Sequence, residues 1–111
     1  MGIIQHNAVL ATTCDKKEVE SIKKFIKSTD YPELFYVAPE VMNGHITVVM
    51  LPDGSNYGQY PDDEYDELRN SFIDKIGEDE NGETSWRWVE MAYGEWEPQI
   101  IRGHNINDTW R

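Results

Sequence analysis

The chain has 111 residues, 39% of them apolar and 28% charged, with a formal net charge of −11. That length suits one domain over residues 1–111, and the apolar content argues against disorder despite the charge. An acidic surface repels nucleic-acid backbone and anionic membrane, so neither is an expected partner, and the single Cys14 excludes an internal disulfide and a thiolate zinc site.

The N-terminal residues carry neither a basic segment nor a long apolar one, which gives no sign of a signal peptide. No apolar run approaches the roughly 18 residues that a membrane span needs. With one cysteine, a reducing cytoplasm is the expected compartment.

Residues 3–13 are apolar and β-tolerant and read as a strand. Asp15 follows as a helix N-cap with Glu18 three residues on, a capping-box arrangement. Val19, Ile22, Phe25 and Ile26 recur at helical spacing among lysines, predicting an amphipathic helix over 16–28 that stops before Pro32. Residues 34–38 read as a short strand. Asn43 and Gly44 favour a tight hairpin turn into residues 45–51, whose unbroken apolar run predicts a central strand covered on both faces. A loop follows from Pro52 to Tyr60. A second helix starts near Pro61 or Asp62, with Tyr65, Leu68, Phe72, Ile73 and Ile76 as its stripe and Gly77 as its C-terminal stop. Residues 86–93 alternate as a strand, with Trp86, Trp88 and Glu90 on one face and Val89, Met91 and Tyr93 on the other. A turn at 94–98 returns the chain as a strand over 99–102. The order β-α-β-β-α-β-β predicts an α+β, ferredoxin-like fold, with a mainly antiparallel sheet and both helices on one face. The uncovered face, supplied with Trp86 and Trp88, predicts a homodimer.

Charge is concentrated. Residues 61–83 hold ten of the 21 carboxylates against only Arg69 and Lys75. Asp62, Asp63 and Glu64 suit the positive end of a helix dipole. Asp62 and Asp63, with Asp66, Glu67 and Asp74, also offer carboxylates to a basic protein, in the manner of a nucleic-acid charge mimic.

Neither metal nor catalytic chemistry stands out. In Asp79-Glu80-Asn81-Gly82 the glycine comes too early for an EF-hand, and His6, His45 and His104 form no zinc-binding spacing. Cys14 precedes a helix N-terminus, where a thiolate is stabilised, yet no base accompanies it in sequence. No cofactor and no catalytic residue is therefore expected. Anion recognition has better material. Gly54, Ser55, Asn56 and Tyr57 form a glycine-containing loop before a helix, with free backbone amides. Arg87, Arg102 and His104 supply positive charge near the C-terminus, and Trp86, Trp88, Trp96 or Tyr57 a ring for stacking on a base. Gly54, Ser55, Asn56, Tyr57, Arg87, Trp88, Arg102 and His104 are the expected ligand site, for a phosphate-bearing small molecule.

Several short segments resemble small acidic proteins of bacteriophages and prophages. They are residues 1–8, Pro52-Asp53-Gly54-Ser55, Asp63-Glu64-Tyr65-Asp66, Trp88-Val89-Glu90, Tyr93-Gly94 and Arg102. The resemblance implies a non-enzymatic accessory or counter-defence protein that acts by binding. It would either sequester a nucleotide immune signal or occlude a host effector.

Overall fold

The computed structural model describes residues 5–54 and 63–104. In order these form β1 (Gln5–Thr13), α1 (Lys16–Ser28), a 3-10 turn (Pro32–Leu34), β2 (Phe35–Val37), β3 (Ile46–Met50), α2 (Asp63–Ile76), β4 (Arg87–Gly94) and β5 (Gln99–Gly103). The expected starts of the first strand at Ile3 and of the second helix at Pro61 or Asp62 fall outside the described residues. The five strands form one sheet in the order β2-β3-β1-β4-β5, with every neighbouring pair antiparallel. The architecture is thus α+β, two helices against a five-stranded antiparallel sheet, and is compatible with a ferredoxin-like arrangement.

Local chemistry accounts for the elements. The Asp15 carboxylate accepts the Lys17 and Glu18 amides at 3.0 and 3.4 Å and so caps α1. The capping box is not closed by Glu18. Instead the Thr13 hydroxyl accepts the Asp15 amide at 3.1 Å, and Glu18 takes the Trp86 indole N–H at 3.1 Å. Asn43 and Gly44 both have positive φ, 59° and 71°, as the centre of a type I′ turn requires. The His45 amide donates to the Met42 carbonyl at 3.3 Å, so the turn sits within the longer connection from β2 to β3. At the end of α2 a side chain on Gly77 would meet the Ile73 carbonyl at 2.9 Å, so only glycine fits that exit.

Both helices bury their apolar stripes on one sheet face. Val19, Ile22 and Ile26 of α1 and Phe72, Ile73 and Ile76 of α2 pack with Val9, Ala11, Val48, Met50, Trp86 and Trp88 in one core cluster. Phe25, Phe35 and Phe72 meet ring to ring within it, Phe35 and Phe72 edge-on at 5.2 Å between centroids.

Three expectations need correction. Trp86 and Trp88 do not lie on the uncovered face; both are buried beneath the helices. Trp88 lies opposite Ala11, an inward position of β1 whose small side chain leaves room for the indole, and Trp86, just before β4, keeps the same parity. β1 is the central strand, and β3 is second from the edge with only one face covered: Val48 and Met50 are buried, while Thr47 and Val49 are half-exposed. With both helices on the same side, no layer remains to cover them, and β-branched residues suit a half-buried surface. The strand expected over 34–38 shortens to three residues because Pro32 starts a 3-10 turn ahead of it.

Candidate functional site

The eight residues expected to bind a ligand do not converge on one place. Gly54 follows β3 with an open, positive-φ backbone (82°). Ser55, Asn56 and Tyr57 lie outside the described residues. Trp88 is 8% exposed, so its indole offers no open face for stacking. The Arg102 guanidinium donates through Nε to Glu90 and through Nη2 to Asn70. Glu90 itself is buried and also accepts from Asn7 Nδ2 at 3.1 Å. The sheet thus uses Arg102 to neutralise an internal carboxylate. Cross-strand pairing of Glu90 with Arg102 sets this up. Its sequence signal was a glutamate alternating in phase with Trp86 and Trp88.

Arg87 and His104 share one groove. They border an open groove of about 760 Å³ between the start of α1, the end of α2, the loop that follows it and the first residues of β4. Six carboxylates line this groove, Asp15, Glu18, Asp74, Glu78, Asp79 and Glu83, against Lys75 and Arg87 as fixed cations. Several are held in place by structural duties. Asp15 caps α1, Glu18 holds the Trp86 indole, and the Asp79 carboxylate accepts the Asn81 and Glu83 amides at 2.8 and 3.0 Å. Glu78 lies 2.8 Å from His104 Nδ1, and that hydrogen bond holds its carboxyl below the usual range. An ionised carboxylate has about four acceptor sites, so one or two such bonds leave capacity directed outward.

Electrostatics then decides what the groove can hold. Two like charges about 4 Å apart in a setting of effective dielectric about 20 repel by roughly 4 kcal/mol. A phosphate lodged among six carboxylates faces that repulsion several times over, with two cations to offset it. A lysine or arginine side chain gains in the same surroundings. Arg87 is exposed and makes no ion pair among the described residues.

Acidic residues continue along α2, where Glu64, Glu67 and Asp74 are exposed on turns spaced for one stripe. The Tyr31 hydroxyl donates to Glu64 at 2.8 Å, which raises the phenol well above its ordinary value. A second ionic cluster was not foreseen. Arg69 is buried and donates to Asp66 at 2.8 Å and to Asp53 at 3.2 Å. The Asp66–Arg69 spacing was its only sequence signal, since Asp53 arrives through the fold. Among the described residues, the buried donors Gln5 Nε2, Arg69 Nε and Trp88 Nε1 find no hydrogen-bond partner. No group of three or more His, Cys, Asp or Glu side chains among the described residues could hold a metal ion. Among the same residues, no helix is long and apolar enough to cross a membrane.

No protein-family model, curated protein or solved structure matches this chain. Its functional reading therefore rests on the geometry above.

Proposed function

We propose that this chain is a non-enzymatic binding protein whose acidic groove and α2 face dock a basic partner, presenting carboxylates where nucleic acid would present phosphates. The observation that carries this is the groove wall, with its six carboxylates against Lys75 and Arg87. The resemblance to small acidic phage proteins agrees with it and assigns a counter-defence role in the host cytoplasm, with a basic host effector as the partner. We read the scaffold as a ferredoxin-like βαββαβ unit extended by β5.

The test is displacement of a fluorescent DNA duplex from a basic, sequence-indifferent DNA-binding domain, followed by anisotropy. The chain is expected to displace the duplex, less effectively as salt rises. Asp74→Lys with Glu83→Lys should weaken displacement at least tenfold. Glu33→Lys with Glu40→Lys, the same change in net charge at exposed positions outside the groove, should not. Equal loss in both double variants would reduce the effect to net charge and defeat the reading.

Sequestration of a phosphate-bearing small molecule is the second reading, and Arg87 supports it, as the exposed arginine without an ion pair among the described residues. Equilibrium dialysis against nucleoside triphosphates and cyclic dinucleotides tests it. Binding that is lost in Arg87→Ala would favour it over the acidic groove.

A further inference from the structure

Among the described residues nothing covers the sheet face turned away from both helices, and its centre is apolar. Tyr36, Val49, Leu10 and Val89 stand side by side over four strands, set by the pairs Tyr36↔Val49, Leu10↔Val49 and Leu10↔Val89. Met91 and Ile100 pair beside them on β4 and β5. Leu10 on the central strand is 37% exposed, and Tyr36 and Ile100 on the two edge strands are 57% and 52% exposed. Polar pairs sit at the two ends of the patch. Thr12 and Thr47 share a hydroxyl hydrogen bond of 2.8 Å, and the His6 and Tyr93 rings lie 5.3 Å apart. An apolar centre with a polar border has the anatomy of a protein interface.

We infer that a second copy of this chain covers the face, stacked sheet against sheet about a two-fold axis. Charge selects this occupant. The positions of the five strands that alternate with the buried ones include no Asp or Glu, although the chain carries a net −11. A basic partner would therefore find its carboxylates on the helix side and nothing complementary here. Arg87, which alternates with buried Trp88 and pairs with Thr12, is the one charge on those positions and sits at the end of the patch, so a second copy presents the same apolar centre. Stacked sheets lie about 10 Å apart, and each helix layer adds about 10 Å more, so the acidic surfaces end up roughly 30 Å apart. That is several Debye lengths at physiological salt, about 8 Å each, so the two net charges barely oppose one another.

Area is sufficient. Five strands at about 4.8 Å spacing and roughly 20–25 Å of strand length project onto about 400–500 Å² per copy, and the corrugated accessible surface is larger. Specific interfaces begin near 1,000 Å² in total, so the dimer belongs at the small end of the range, with micromolar affinity. The chain's own last residues are the competing cover. His104, however, donates its amide to the Trp88 carbonyl and turns its ring to Glu78, which directs the described end of the chain to the helix side.

Sedimentation equilibrium of the full chain from 1 to 200 µM tests the inference. The expected mass at the upper end is about twice the 12.9 kDa of one chain. Leu10→Glu, on the central strand, should raise the dissociation constant at least about 100-fold, as loss of a central anchor does, and Tyr36→Lys, on edge strand β2, at least about tenfold. Unchanged far-ultraviolet circular dichroism and urea midpoint would show that each variant still folds. A wild-type mass of one chain throughout would overturn the inference. So would a dimer that survives both substitutions, or one lost on changing Ile106 and Trp110 to serine.

Discussion

Replacing Arg102 with alanine separates a structural arginine from a ligand-binding one. Glu90 has a side chain only 4% exposed, and Arg102 provides its counter-charge, with Asn7 as the second donor. Removing one member of a buried ion pair costs about 3–5 kcal/mol, because the remaining charge is left in a poorly solvated site. Arg102 is itself 44% exposed, so the vacated space opens to water and the penalty falls. Allowing for that screening and for the persisting Asn7 bond, the expected loss is about 2–3 kcal/mol. For a domain of this size that lowers the melting temperature by roughly 10 °C. Converting both partners to leucine should restore most of it, since an apolar pair carries no desolvation cost. Urea unfolding of the four members of the cycle gives the coupling energy. A loss below about 1 kcal/mol in Arg102→Ala would refute the reasoning. The guanidinium would then be free for an anion, as the sequence alone suggested.

Phe72→Ala should destabilise by about 3–5 kcal/mol in urea unfolding, because the ring is wholly buried and touches Phe25 and Phe35. Asp15→Ala should cost about 1 kcal/mol by the same assay, with fraying of the first turn of α1 visible in amide exchange. His104→Ala should move the Glu78 carboxyl back up toward its ordinary value in an NMR titration. With that carboxyl lowered in the fold, its stabilisation is present above the usual carboxylate range and disappears as pH falls through the lowered value.

The scaffold was legible where periodicity and end signals agreed. Asp15, the spacing Val19-Ile22-Ile26 and the stripe ending at Ile76 locate both helices, and Asn43-Gly44 marks the hairpin. Burial of individual strand residues was not legible from alternation alone. In residues 86–93 both faces are apolar, so the period is visible while the inward direction depends on pairing with β1, a non-local fact. Alternation alone therefore leaves open which face Trp86 and Trp88 take. The site was harder still. Arg102, Glu90 and Asn7 come from three strands, and Arg69 meets Asp53 only after folding, so nothing local distinguishes a cation committed to the interior from one free for a ligand. The concentration of acids over 61–83 was plain, but the groove depends on Asp15 and Glu18 arriving from α1.

The fold partitions the chain's charge between its two sides, and the partition has a consequence of its own. Helix α2 and the loop after it hold their carboxylates on the helix side, where caps and turn bonds fix several of them, while the opposite sheet face carries none on its alternate positions. Partner docking and self-association therefore use surfaces separated by the thickness of the sheet and its helices. Sites that far apart with no shared contacts contribute independently. Asp74→Lys with Glu83→Lys is expected to lose DNA displacement while sedimenting like the wild type. Leu10→Glu is expected to sediment as a single chain while each chain still competes with the duplex. A dimer presents two acidic surfaces on opposite sides, so against an immobilised array of the basic domain it should dissociate more slowly than Leu10→Glu, through avidity. Equal dissociation rates on that array, with the wild type dimeric in solution, would show that only one surface engages at a time.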